Sequence, residues 1–83
     1  MTTPKKIERV QTGVRIEKNT LKVLKALAAH KDMGLGDLIE GIVLHSFEGK
    51  VPFEPETLAF IEQVSKAYGL TLTSEDSHSL NES

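Results

Sequence analysis

The stretch Arg9–Ile16 constrains the fold of this chain more than any other. Its apolar or β-branched residues are all even-numbered, namely Val10, Thr12, Val14 and Ile16. Its odd-numbered residues are Arg9, Gln11, Gly13 and Arg15. This alternation is typical of a β-strand with one buried face. No other stretch predicts a strand, so the backbone N–H and C=O groups of this one would need a partner from outside the chain.

A second copy of the chain is the simplest such partner. Two strands related by a two-fold axis would pair antiparallel and form a ribbon. The ribbon would bury the even-numbered side chains and present the odd-numbered ones. Such a ribbon fits the major groove of DNA, where arginine can bind guanine and glutamine can bind adenine. The stretch therefore predicts a homodimer that binds double-stranded DNA.

The size and composition of the chain agree with this prediction. At 83 residues it is one small domain, near the size at which a single-chain core is marginal, which also favours a dimer. The absence of cysteine excludes disulfides and thiolate metal sites and suits a reducing cytosol. No apolar run approaches the roughly 20 residues that span a membrane, and the N-terminus lacks the apolar part of a secretory signal. We expect a cytoplasmic, nucleoid-associated protein with no membrane partner.

Charge is strongly segregated along the chain, although the net charge is only −2. Residues 1–31 contain eight basic and two acidic residues, which gives +6. Residues 32–83 contain two basic and ten acidic residues, which gives −8. This asymmetry predicts a polyanionic partner for the N-terminal half. The alternative is that both halves are simply solvated.

Apolar residues recur every three or four positions after Ile16, which is the period of an amphipathic helix. The first predicted helix runs from about Lys18 or Asn19 to about Lys31, and the second from about Leu35 to about Glu48. A third is predicted from about Pro55 to Tyr68, with proline at its first position and Gly69 just past its end. Gly41 within the second helix indicates either simple tolerance or the close approach of another helix.

The order of these elements resembles the ribbon-helix-helix (MetJ/Arc-like) superfamily of DNA-binding proteins. The resemblance covers residues 9–48 and is carried by the stretches Val10–Ile16, Leu21–Ala28 and Met33–Ile39. It implies a mainly α fold, in which two protomers intertwine through one antiparallel strand and two core helices each, here with an extra C-terminal helix. The expected organisation is a flexible basic arm (1–8), a dimerisation and DNA-binding domain (9–48), a helical extension (49–73) and a polar tail (74–83).

The resemblance also implies roles for individual residues. Those expected to contact bases are Gln11, Gly13 and Arg15. The resemblance also places Gly34 and Leu35 at the N-terminus of the second helix, where backbone N–H groups can hold a DNA phosphate. From their charge and position along the chain, Lys5, Lys6, Arg9 and Lys18 are expected to contact phosphates as well. The expected dimer core consists of Val10, Thr12, Val14, Ile16, Leu24, Leu38, Ile39, Ile42, Val43 and Phe47. Because Gly13 has no side chain, base readout would rest mainly on Gln11 and Arg15.

The sequence thus predicts a prokaryotic, homodimeric regulator of transcription, a repressor in the first instance, which can form higher assemblies on tandem sites. One alternative is an antitoxin whose C-terminal helix binds a partner protein, and another is a structural dimer without DNA binding. Catalysis finds no support, because neighbouring residues such as Asp76, Ser77 and His78 cannot adopt triad geometry. His30, His45 and His78 lie on different segments, so we expect no enzyme activity, metal or cofactor.

Overall fold

Three helices account for most of the computed structural model, which describes residues 4–81. Helix α1 spans Lys18–His30, α2 spans Leu35–Phe47 and α3 spans Pro55–Tyr68. A single 3₁₀ turn follows at Ser74–Asp76. All three predicted helices are confirmed, because each end lies at or next to its predicted residue. Within residues 4–81, no helix is both long enough and apolar enough to cross a membrane.

Local chemistry explains where these helices begin and end. Proline occupies the first position of α3, where its missing N–H costs nothing. Gly69 ends the same helix with φ of 71°, a left-handed conformation that glycine adopts without a Cβ penalty. Asp32, with φ of 54°, turns the chain after α1, and the backbone N–H of Met33 donates to the carbonyl of Ala28 at 3.0 Å. The predicted helix ends are therefore set by residues next to them.

The core lies along α1, which packs against both α2 and α3. Leu27 and Ala28 of α1 are buried against Leu38 of α2. Partly buried residues pack around this cluster, namely Leu24, Ile42, Phe53, Phe60 and Ile61. Helix α1 packs more extensively on α3 than on α2. The third helix, whose role the sequence left open, is thus part of the fold of its own chain.

The predicted ribbon-helix-helix fold is wrong for this structure. Residues 9–16 are extended but form no strand, and the part of the chain that the structure describes is all-helical. Alternation decides which side chains share a face, but a strand also needs a second extended segment beside it, and residues 4–81 provide none. Val10 and Val14, expected to be buried in the ribbon, are instead 82% and 73% exposed.

The buried core is small for a chain of this length. Within residues 4–81, the buried apolar side chains are Val23, Leu27, Ala28 and Leu38. Several larger apolar side chains are exposed, among them Val10, Val14, Leu44, Phe47 and Val51. Small domains have little core in reserve, so each buried leucine contributes a large share of the stability.

Shortening Leu27 should destabilise the fold strongly. Leu27 is only 2% exposed at the centre of the core, so Leu27→Ala removes buried methyl groups and leaves a cavity. We expect the free energy of unfolding to fall by about 2–5 kcal/mol, measured by urea denaturation followed by circular dichroism. The matched control is Leu58→Ala on α3, where the leucine is 48% exposed and the loss should be much smaller. Equal losses for the two variants would contradict this description of the core.

Candidate nucleic-acid interface

Three lysines form a basic face on α1. Lys18, Lys22 and Lys25 are spaced four and three residues apart, so they lie on one side of the helix, and all three are exposed. The ammonium group of Lys22 lies 5.9 Å from the ring centroid of Tyr68 on α3, within the range of a cation–π interaction. We call Lys18, Lys22 and Lys25 the basic helix face. It presents a row of positive charge that a polyanion can approach.

Glu17 fixes the junction between the extended segment and α1. Its carboxylate accepts hydrogen bonds from the backbone N–H groups of Asn19 at 2.9 Å and Thr20 at 2.8 Å, and from the Thr20 hydroxyl at 2.8 Å. The hydrogen bonds from these two backbone groups, followed by that of the hydroxyl, lower the pKa of Glu17. Glu17 is thus the N-cap residue of α1, and its side chain provides the cap.

The extended segment, residues 4–16, carries the residues expected to contact bases. Gln11, Gly13 and Arg15 are all exposed, and a Cβ atom at Gly13 would have no neighbour within 4 Å. Lys5 and Lys6, expected to contact phosphates, are exposed as well. Residues 1–3 of the predicted basic arm and residues 82–83 of the predicted tail lie outside the described residues. The segment therefore presents its basic and amide side chains at the surface.

Arg9 is the exception among the expected phosphate contacts, because its guanidinium group is bound to acidic residues of α2. Its Nη2 lies 3.0 Å and its Nε 3.3 Å from Oε1 of Glu40, and Nη2 lies 3.6 Å from Asp37. The hydrogen bond to Glu40 raises the pKa of Arg9 above its ordinary value, and the negative charge of the Glu40 carboxylate raises it as well. Sequence patterns gave no signal for this contact, since Arg9 and Glu40 are 31 residues apart.

A groove of about 570 Å³ separates the extended segment from α2 beside this ion pair. Val10 and Val14 line one wall, and Gly36 and Ile39 of α2 line the other. The extended segment therefore lies beside α2 without filling the space between them.

The N-terminus of α2 was expected to hold a phosphate at Gly34 and Leu35. Gly34 is the N-cap residue and offers no side-chain hydrogen bond. A carboxylate oxygen of Asp37 lies 3.5 Å from the position that a Cβ atom of Gly34 would take. Since a carboxylate complements the positive end of a helix, Asp37 already supplies negative charge where a phosphate was expected.

Five of the ten residues expected to form the dimer core separate into two groups on α1 and α2. Leu24, Leu38 and Ile42 belong to the core of the single chain. Val43 and Phe47 are exposed, together with Leu44, and their spacing places them on the same side of α2 as Glu40. We call Glu40, Val43, Leu44 and Phe47 the outer face of α2. Its first residue binds Arg9, and its apolar remainder is open to solvent.

The remaining members of the expected dimer core are Val10, Thr12, Val14, Ile16 and Ile39. Thr12 is exposed, like the two valines, while Ile16 and Ile39 are half-buried. The structure therefore leaves most of the even-numbered side of the extended segment in contact with solvent.

Two of the three histidines contact other residues of the fold. The His30 ring stacks on Phe60 with 3.9 Å between the ring centroids. His45 Nδ1 lies 2.7 Å from the carbonyl oxygen of Gly41, one helical turn earlier, and donates a hydrogen bond to it. Among residues 4–81, no three His, Cys, Asp or Glu side chains are grouped so that they could hold a metal ion.

Comparison with protein-family models, curated proteins and solved structures gives no match for this chain. The resemblance of residues 9–48 to the ribbon-helix-helix superfamily thus stays a prediction. It rests on the residues alone, and its strand is not formed in the structure.

The capping role of Glu17 predicts a pH-dependent contribution to stability. Because folding lowers the pKa of Glu17, its stabilising effect is present above the ordinary glutamate pKa and disappears as pH falls through the lower, folded value. Glu17→Gln should therefore be less stable than wild type near pH 7. The difference should shrink as pH falls below the ordinary glutamate pKa and disappear below the lower, folded value. Urea denaturation from pH 3 to pH 7 measures it.

Glu54 provides the control for this experiment. It is the N-cap residue of α3, but its side chain makes no capping hydrogen bond. Glu54→Gln should leave the free energy of unfolding nearly unchanged at pH 7. A difference for Glu17→Gln that does not vary with pH would contradict the assignment of the cap to the ionised carboxylate.

Proposed function

We propose that this chain is a homodimeric DNA-binding protein that regulates transcription by occupying a short site on double-stranded DNA. The observation that carries the proposal is the segregation of charge, with +6 on residues 1–31 and −8 on residues 32–83. A dimer would bring a charge of about +12 to one DNA site. Each phosphate that this charge neutralises releases counterions, which adds to the affinity for DNA.

The placement of the basic residues supports this proposal. The basic helix face and the exposed lysines of the extended segment, Lys5 and Lys6, belong to consecutive parts of the chain. A duplex beside α1 would meet Lys18, Lys22 and Lys25 at spacings of one helical turn. We assign phosphate contacts to Lys5, Lys6 and the basic helix face. Arg9 can join them only by leaving Glu40.

Sequence preference would come from the extended segment. Gln11 and Arg15 carry the side chains that form paired hydrogen bonds with adenine and guanine. Gly13 between them leaves room for the backbone to approach the DNA closely, since a Cβ atom there would have no neighbour within 4 Å. This arrangement needs an extended arm in a groove and does not depend on a β-ribbon. Two base-contacting side chains in each protomer give only modest selectivity for one DNA site. We therefore expect the protein to bind at tandem sites, where several dimers together increase the selectivity.

The exposed apolar residues support a dimer. Phe47 is 80% exposed and Leu44 61% exposed, next to Val43 on the outer face of α2. Neighbouring exposed apolar side chains on a small domain mark a protein contact site. A second copy buries the same set twice and adds apolar burial to a small core. We therefore place the dimer contact at the apolar part of this face.

The packing of α3 weighs against the antitoxin alternative. Phe60 and Ile61 pack against the core cluster of Leu27, Ala28 and Leu38. A segment that folds on its own chain in this way is not free to wrap around a partner protein without opening the core. The regulator is accordingly the better supported of the two functions.

DNA binding should be steeply salt-dependent and should need Arg15 for its preference. The wild-type protein and Arg15→Ala are titrated against fluorescent genomic DNA fragments, including the promoter of its own gene, over a range of salt concentrations. Wild-type affinity should fall sharply as salt rises, and Arg15→Ala should reduce discrimination between fragments roughly tenfold or more. Lys18→Ala should instead weaken binding to every fragment and lower the salt dependence.

Lys66→Ala is the matched control for both variants. Lys66 belongs to the acidic half, where it pairs with Glu62 at 3.3 Å and is exposed. Its loss should leave DNA affinity unchanged. If the wild-type protein binds no fragment even at low salt, the proposed function is wrong.

The proposed dimer contact predicts the oligomeric state. Sedimentation equilibrium should give about twice the chain mass of 9.1 kDa, and Phe47→Ser should shift the protein to the monomer. Because Phe47 is exposed, the variant should keep its helical circular dichroism spectrum. The control is Leu80→Ser, an exposed leucine near the C-terminus that should leave the dimer intact. A wild-type monomer at micromolar concentration would contradict the proposed contact.

A further inference from the structure

One ion-pair cluster joins the two oppositely charged halves of the chain. The guanidinium group of Arg9 binds Glu40 through two nitrogens, at 3.0 and 3.3 Å, and approaches Asp37 at 3.6 Å. Both acids belong to the first half of α2. The contact holds the extended segment beside α2, over the groove lined by Val10, Val14 and Ile39.

The ion pair between Arg9 and the acids is exposed to solvent, so Arg9 can exchange these partners for another anion. Arg9 and Asp37 are each 60% exposed and Glu40 is 49% exposed, so water and salt screen their attraction. A DNA phosphate offers arginine the same paired hydrogen bonds as a carboxylate, in a far stronger field of negative charge. Arg9 cannot direct the same N–H groups to Glu40 and to a phosphate. The two anions therefore compete for it.

The acids lie close to the segment that would read DNA. Asp37 and Glu40 line the same groove as Gln11, and Asp37 also lies beside the N-terminus of α2. With Arg9 in place, their negative charge is partly neutralised. Arg9 must give up this ion pair before it can bind a phosphate, and that loss lowers the affinity for DNA.

We propose that the Arg9–Glu40–Asp37 cluster is an autoinhibitory contact, in which the acids of α2 act as an internal substitute for DNA phosphate. The inference rests on the proposed function and deepens it. In the free protein the cluster holds the extended segment on α2. On DNA a phosphate displaces Glu40, Arg9 turns to the duplex, and the segment is released to follow it. The protein therefore binds DNA more weakly than its basic residues would if no acids competed for Arg9.

The test combines Glu40→Gln, Arg9→Ala and the double variant in a thermodynamic cycle. Glu62→Gln is the matched control, because Glu62 forms an exposed ion pair of 3.3 Å on α3 and loses the same charge. Glu40→Gln should strengthen DNA binding roughly two- to fivefold in the wild-type background, as expected for loss of one exposed competing partner. It should have almost no effect in the Arg9→Ala background. Circular dichroism verifies that each variant folds.

A second readout needs no DNA. Trypsin cleaves after arginine, so an Arg9 side chain held by Glu40 is shielded, and Glu40→Gln should be cleaved after Arg9 faster than wild type, as followed by mass spectrometry. Glu62→Gln should be cleaved there at the wild-type rate. An unchanged rate for Glu40→Gln would overturn the proposed contact, whatever happens with DNA.

The two readouts separate the failure of this inference from that of the proposed function. If wild-type protein binds DNA but Glu40→Gln gains no more than Glu62→Gln, or gains equally without Arg9, the acids act only through net charge and the autoinhibitory contact is wrong. If no DNA binds at low salt, the proposed function fails and the competition with phosphate fails with it. Faster cleavage of Glu40→Gln would then still locate the extended segment on α2.

Discussion

The packing of α1 between α2 and α3 is the interaction on which the rest of the structure depends. Leu27 and Ala28 of α1 meet Leu38 and the aromatic ring of Phe60 around a single small cluster. The basic helix face lies on the side of α1 opposite Leu27, by helical spacing. The same packing that forms the core thus turns three lysines outward. The position of the basic surface is a consequence of the core rather than a separate feature.

The sequence predicted the parts of this fold whose causes are local. The ends of α3 follow from Pro55 and Gly69, and the start of α1 from the cap at Glu17, all within a few residues of the helix they define. The strand at residues 9–16 was wrong, because alternation is local but a ladder needs a distant partner. The Arg9–Glu40 contact was missed for the same reason, since nothing in the sequence joins residues 31 positions apart.

One side of α2 carries both an acidic residue and exposed apolar residues. The outer face of α2 begins at the acidic residue Glu40, which binds the extended segment. It continues with Val43, Leu44 and Phe47, of which Leu44 and Phe47 are mostly exposed. Some residues of the predicted dimer core are buried in the core of the single chain, and others are exposed. The spacing of apolar residues shows which side of a helix is apolar but not what covers that side. Leu38 and Ile42 serve the chain itself, whereas Phe47 remains available to a second copy.

The proposed dimer would also resolve a difficulty that a single protomer would have with selective DNA binding. Each good base contact discriminates by roughly 1–3 kcal/mol, and one extended segment offers only Gln11 and Arg15 for the purpose. In the proposed function, two protomers would double these contacts and fix their spacing on the duplex, while the doubled basic halves would supply affinity that does not depend on sequence. Lower affinity for arbitrary DNA then becomes useful, because non-specific sites compete for the protein. Carboxylates that compete for Arg9 would act on this non-specific part of the affinity and leave the base contacts of Gln11 and Arg15 intact.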